Sequence, residues 1–157
     1  MAIADTRGRL ELTVPIAKPD SSRSARWADI ALSDHGNWWA VHFTALESAY
    51  GRTPFFEFYA DRFAPLYADF PGGSAVGFDA RIEAVICDIL DIKAPRRDAA
   101  LSERPTALKP CQLTYWQVRA DKLGFIPGLS ILDLIFNLGP DAQLFLYGCA
   151  RSGILSY

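Results

Sequence analysis

The chain has 157 residues, carries a formal net charge of -2, and is 50% hydrophobic and 22% charged. This composition excludes intrinsic disorder as the state of the whole chain. Because the charge is not strongly positive, it also disfavours a protein that binds nucleic acid through phosphate contacts. The length is that of one domain, which can build a hydrophobic core without metals or disulfides.

The cysteines are Cys87, Cys111 and Cys149, an odd and widely spaced set without a Cys-x-x-Cys pair. Such a set is a poor disulfide framework and a poor zinc site, and it favours a reduced, cytoplasmic protein. The start of the sequence has no apolar segment typical of a signal peptide. No apolar run is long enough to span a membrane. We expect neither a metal nor a cofactor.

The first predicted element is a strand over residues 10–17. Apolar residues alternate there with other residues, which is the period of a half-buried strand. Pro15 lacks an N–H group, so this strand is expected at the edge of its sheet. A polar, turn-rich loop follows, and a short second strand is predicted over 27–32.

Three helices are predicted next. Asn37 is a favourable N-cap for a helix over 38–50. Thr53 is expected to cap a second helix, which Pro65 ends or kinks. Apolar spacing predicts a third helix over roughly 78–91. The apolar faces of these helices, with that of a later one, predict a mostly buried core of Phe43, Leu46, Phe56, Ile82, Val85, Ile86, Ile89, Leu132 and Ile135.

The second half of the chain begins with a predicted mobile loop over 93–110, rich in prolines and charges. A strand is expected within 113–118. The Ser130-x-x-Asp133 spacing favours a helix start, and 144–147 is predicted as a last short strand. These elements together predict an α/β or α+β fold, in which a small sheet is packed by several amphipathic helices.

The candidate catalytic residue is His42. The chain has no P-loop, dinucleotide-binding, zinc-protease or serine-hydrolase motif. On the helix over 38–50, His42 lies four residues after Trp38, so the two side chains share a face. Histidine exchanges protons near neutral pH, which suits proton transfer, with Trp38 as a candidate substrate contact. The alternative is a half-buried histidine that packs on Trp38 with its polar edge satisfied.

Asp133 and Asn137 are the candidate substrate-binding groups on an otherwise apolar helix over 131–138. With Ser130 they are spaced by three and four residues and so form one polar stripe. If this helix packs on the helix that carries His42, the groups converge. We therefore expect a partly exposed His42 beside the stripe. The alternative is a capping box, in which Ser130 and Asp133 bond only to backbone N–H groups.

Several segments, in their order along the chain, resemble the WbqC-like protein family. They are Leu12-Thr13-Val14-Pro15-Ile16, Asn37-Trp38 with His42, Ala45 to Tyr50, Thr53-Pro54-Phe55-Phe56-Glu57 with Tyr59 and Asp61, Tyr115-Trp116-Gln117-Val118, and Leu129 to Asn137. Members of this family carry a further segment ahead of the Leu12-to-Ile16 strand, whereas only nine residues precede Leu10 here. The resemblance therefore implies an N-terminally short member or a fragment, with a strand partner missing.

The family takes its name from a gene in a surface-polysaccharide, O-antigen type, cluster. The resemblance therefore implies a role in that biosynthesis, as a transferase acting on activated sugars or small acyl or amino substrates. It carries over no catalytic residue. The alternative is a non-catalytic binding or scaffold module. A pocket that holds His42 together with Asp133 or Asn137 would favour the enzyme.

Overall fold

The computed structural model describes residues 1–18, 26–93 and 113–151. It confirms the mixed fold, because the described ranges contain one two-stranded antiparallel sheet and six α-helices. The strands are β1 (Ala2–Asp5) and β2 (Gly8–Glu11); the helices are α1 (Trp38–Tyr50), α2 (Phe56–Tyr67), α3 (Ala75–Ile89), α4 (Ala120–Leu123), α5 (Ile131–Leu138) and α6 (Asp141–Arg151). The loop predicted over 93–110 lies, beyond its first residue, outside the described residues.

The sheet is a hairpin at the start of the chain, with Ala2 opposite Glu11 in register. The strand predicted over 10–17 is therefore displaced, and its partner β1 was missed. The hairpin turn contains a local hydrogen bond, in which the Arg7 N–H donates to Asp5 Oδ1 at 2.7 Å. After β2 the chain stays extended but forms only an isolated bridge, between Ile16 and Leu32.

Three further strand predictions are wrong. Residues 27–32 contain a 3₁₀ turn, Trp27–Asp29, and two isolated bridge residues. Residues 113–118 run without a strand partner among the described residues. Residues 144–147 lie inside α6, because the chain turns after α5 and the Ala142 N–H bonds to the Gly139 carbonyl at 3.1 Å. In each case the apolar run is too short to distinguish a strand from a helix by its period.

Helix α1 has the predicted bounds, whereas α2 and α3 begin at other residues. Asn37 precedes α1 in a left-handed conformation (φ 48°) without a side-chain cap bond. The Thr53 hydroxyl donates to the Tyr50 carbonyl at 2.7 Å, so it satisfies the end of α1 instead of starting α2. Ser74 caps α3, since its Oγ accepts the Gly77 N–H at 3.1 Å.

The core centres on the Phe136 ring of α5. Its centroid lies 5.2, 5.0 and 5.8 Å from the rings of Tyr50, Phe56 and Phe63. Of the predicted core, the buried members are Leu46, Phe56, Leu132 and Ile135, and the members that pack against them while partly buried are Phe43, Ile82, Val85, Ile86 and Ile89. The core therefore joins α1, α2 and α5.

No helix in the described part of the chain combines the length and the apolar character that crossing a bilayer requires.

Candidate functional site

The candidate site is a cavity of about 290 Å³ beside His42. It lies between the extended segment after β2 and helices α1, α2 and α3. Its apolar wall includes Leu12 and Phe78. Its polar wall includes the side chains of His42, Tyr67 and Asp79. A cavity of this size, apolar with a few converging polar groups, has the character of a small-molecule site.

The His42 ring is held by aromatic neighbours. Its centroid lies 5.2 Å from the Trp38 ring and 6.3 Å from the Tyr67 ring. The Trp38 indole is itself anchored, because Nε1 donates to the Ser33 carbonyl at 2.8 Å. Only 3% of His42 is exposed, so the prediction of partial exposure is wrong. The face of α1 that carries His42 packs against α2 and against the chain segment after β2. These two elements cover the His42 side chain.

Burial lowers the pKa of His42, and the nearby Met1 amino group lowers it further, against a hydrogen bond with the Thr13 backbone. Desolvation has this effect because it disfavours the charged imidazolium. The neutral imidazole is therefore the favoured form at neutral pH. In this form it is able to accept a proton from a group in the cavity.

Tyr67 supplies a donor at the same cavity. The residue is 4% exposed, yet its hydroxyl forms no hydrogen bond with the described residues. Burial, with the nearby Asp79 carboxylate, raises the pKa of Tyr67 to about 12. The phenol is therefore protonated at neutral pH. A ligand in the cavity is able to accept a hydrogen bond from this hydroxyl.

Asp133 lies in a different cluster. It is 1% exposed, and its Oδ2 accepts the Tyr115 hydroxyl at 2.6 Å and Gln117 Nε2 at 3.1 Å. Burial raises the pKa of the Asp133 carboxyl, and hydrogen bonds from Tyr115, Tyr50 and Gln117 oppose that shift. The carboxyl is thus surrounded by donors from two parts of the chain, α1 and the segment that holds Tyr115 and Gln117.

Asn137 belongs to the same cluster. Its Nδ2 donates to the Asp133 carbonyl at 2.7 Å, and its Oδ1 accepts the Val118 N–H at 2.9 Å. Together with the Asp133 bonds, these contacts fasten the segment around Tyr115 to α5. The arrangement explains why this segment is ordered without a strand partner.

The structure thus separates the predicted site residues into two pairs. Trp38 and His42 are together beside the cavity, and Asp133 and Asn137 are together in the second cluster, outside the cavity lining. The capping-box alternative is also wrong, because the Asp133 carboxylate bonds to side chains and Ser130 makes no side-chain cap bond.

Sequence reasoning missed Tyr67, Asp79, Tyr115 and Gln117. Tyr67 had a local signal, since it follows Phe63 by four residues and so extends a buried stripe with a polar tip. Gln117 had none, because its partners, the Asp133 carboxylate and the Ile126 backbone, are brought to it by the fold.

Within residues 1–18, 26–93 and 113–151, no group of three or more histidine, cysteine, aspartate or glutamate side chains is arranged to hold a metal ion.

The fold and the cavity together define a small mixed α and β domain with a site of small-molecule size. The chain belongs to the WbqC-like protein family, whose model matches residues 1–106. It has no match to a curated protein and none to a solved structure. The matched range contains α1, α2 and α3 and hence the His42 cavity, whereas the Asp133 cluster is built largely from residues beyond it.

Proposed function

We propose that this protein is a cytoplasmic transferase of surface-polysaccharide, O-antigen type, biosynthesis, with the His42 cavity as its active site. Its substrate is an activated sugar or a small acyl or amino compound. The observation that carries the proposal is that a neutral imidazole, His42, and a protonated phenol, Tyr67, line one cavity of about 290 Å³. The pathway is supported by the family.

In this proposal His42 is the general base. It accepts the proton of an acceptor hydroxyl or amine as that group attacks the activated carbon, and the activating group leaves with the bonding electron pair. Lowering its pKa keeps His42 unprotonated and therefore ready for this step. Trp38 keeps the imidazole in place through ring contact. Tyr67 and Asp79, which line the cavity, contact the substrate in place of Asp133 and Asn137, which do not line it.

The second candidate is a non-catalytic binding or scaffold module. It is favoured by the Asp133 cluster, where the predicted substrate-binding side chains bond to protein groups. Such a module needs no proton transfer. The two candidates therefore differ in whether the imidazole of His42 is required.

The test is complementation of a strain that lacks the gene, read as the surface-polysaccharide pattern. We expect the unaltered chain to restore the pattern and His42→Gln to fail, at equal protein level and with a retained unfolding transition. Tyr67→Phe removes only the hydroxyl and should weaken complementation. Tyr59→Phe, a partly buried tyrosine on α2 outside the cavity lining, is the matched control and should restore the pattern fully.

Binding provides a second readout that does not depend on turnover. With UDP-glucose as the probe, Tyr67→Phe should weaken binding about 10-fold, the value of one hydrogen bond in a desolvated site, and Tyr59→Phe should leave it unchanged. Full complementation by both His42→Gln and Tyr67→Phe would refute the enzyme and support the scaffold.

A further inference from the structure

A second, smaller cavity lies at the C-terminal end of α1, on the face formed with α4. Its volume is about 160 Å³, and its lining residues include Arg52, Arg119, Lys122 and Asp121. Three cationic residues and one acidic residue therefore line it. None of these four side chains forms an ion pair with another described residue. The charges are concentrated at one cavity without being neutralised by the protein.

Arg119 is the fixed member of this cluster. Its Nη2 donates to the carbonyls of Ser48 and Ala49, at 3.2 and 3.1 Å, where α1 leaves carbonyl groups without helical partners. Its Nη1 has no acceptor among the described residues. The guanidinium is thus oriented before any ligand arrives, which reduces the entropy lost on binding.

We propose that this cavity binds a phosphate group, held by Nη1 of the Arg119 guanidinium together with Arg52 and Lys122. Nη1 suits phosphate because its N–H groups form charge-assisted hydrogen bonds to phosphate oxygens. The volume accommodates a phosphate but not a nucleoside beside it. Arg52 and Lys122 are exposed, so both can close on the ligand without repacking the core.

The site is separate from the His42 cavity and does not depend on the proposed transferase activity. The two linings share no residue. Two sources of the phosphate fit the same chemistry: the inorganic ion, or the phosphate of a phosphorylated sugar whose ring extends out of the cavity. The experiment distinguishes them with two probes.

Binding of inorganic phosphate and of glucose 1-phosphate should be measured by calorimetry at constant ionic strength, using the full chain. We expect saturable binding that Arg52→Gln and Lys122→Gln each weaken by at least about 10-fold, because each removes a charge-assisted contact. Arg7→Gln is the matched control. It removes one positive charge from the exposed hairpin turn, outside the cavity, and should leave binding unchanged.

Arg119→Lys tests the guanidinium itself. It keeps the charge but cannot anchor one nitrogen on the Ser48 and Ala49 carbonyls while presenting another to the ligand, so phosphate binding should fall. The unfolding midpoint, followed in parallel, reports any loosening of α1. Tighter binding of glucose 1-phosphate than of phosphate identifies the sugar phosphate as the ligand, and equal binding identifies the free ion. Absence of saturable binding, or an equal loss in Arg7→Gln, overturns the proposal.

Discussion

Ser74 and Ser130 occupy the same position before their helices but differ in what their hydroxyls do. Ser74 Oγ accepts the Gly77 N–H, whereas Ser130 Oγ is buried without a partner among the described residues. Ser74→Ala should therefore cost about 1 kcal/mol of unfolding free energy. Ser130→Ala should be neutral or stabilising, because it removes a buried unpaired hydroxyl. Urea denaturation of both variants measures the difference, and an equal loss would contradict it.

The Asp133 carboxyl should make stability depend on pH. Its folded-state pKa lies above the ordinary value of 3.8 because of burial, so the folded protein binds this proton more tightly than the unfolded chain. The resulting stabilisation is complete below about pH 3.8 and is lost as the pH rises through the folded-state pKa. The asparagine side chain in Asp133→Asn cannot ionise, so this variant has no loss of stability from residue 133 as the pH rises.

The measurement is the difference in unfolding free energy between the unaltered chain and Asp133→Asn across this range. We expect the unaltered chain to lose stability relative to the variant as the pH rises. Asp61→Asn, an exposed carboxylate on α2, is the control and should change the unfolding free energy by less than about 0.5 kcal/mol. If the difference in unfolding free energy between the unaltered chain and Asp133→Asn did not vary with pH, burial would not disfavour the charged form of the Asp133 carboxyl.

At the scale of elements, α1 has one face in the core and one in solvent. Leu46 is fully buried, whereas Val41 on the same helix is 57% exposed. Leu46→Ala should cost about 2–5 kcal/mol, through lost burial and the cavity it leaves, and Val41→Ala less than about 0.5 kcal/mol. Ile86→Ala on α3 should fall between them because Ile86 is only partly buried. Chemical denaturation orders the three variants.

The turn between α5 and α6 depends on the absence of a side chain at Gly139. A Cβ there would lie 2.4 Å from the Phe55 ring, and φ is +55°. Gly73 has a similar φ of +73° but nothing within 4 Å of such a Cβ. Gly73→Ala should thus cost only the backbone strain, about 1–2 kcal/mol, and Gly139→Ala about 1–3 kcal/mol more because of the overlap. Thermal unfolding compares the two, and equal losses would show that the Phe55 ring moves aside.

How much the sequence predicts differs between helices and strands for a physical reason. A helix such as α1 repeats its apolar face several times, and its bounds were confirmed. The strands here are four residues long, so β1 carries too few alternations to be recognised, and 144–147 resembled a strand although it lies in a helix.

The same limit applies to the candidate site. Pairs within one helix were predicted, since Trp38 and His42, like Asp133 and Asn137, are four residues apart. Their partners from other elements were not. The Tyr115 hydroxyl, for example, reaches Asp133 only because the fold brings the two segments together.

At the scale of the molecule, the part matched by the family model and the remainder share one core. The Phe136 ring, beyond the matched range, packs on Tyr50, Phe56 and Phe63 within it. The hairpin also joins the two parts, since the Ala2 carbonyl accepts the Ser130 N–H at 2.8 Å. We therefore expect that the family-matched part does not fold independently.

A chain ending at residue 112 should thus lose cooperative unfolding. It exposes the surfaces of Tyr50, Phe56 and Phe63 that Phe136 covers, so it should bind a hydrophobic dye and show a broad thermal transition. The full chain, followed under the same conditions, is the reference. A sharp transition with a melting temperature equal to that of the full chain would contradict the shared core.

Because the Trp38 and His42 rings are in contact, the fluorescence of Trp38 reports the charge of His42. The two rings are 5.2 Å apart and Trp38 is buried, whereas Trp116 is 55% exposed. A protonated imidazole quenches the emission of an indole at such a distance, and the exposed indole can be silenced separately by a water-soluble quencher. With Trp27 and Trp39 replaced by phenylalanine, the emission that remains follows the charge of His42 and the arrival of a ligand beside it, without a label.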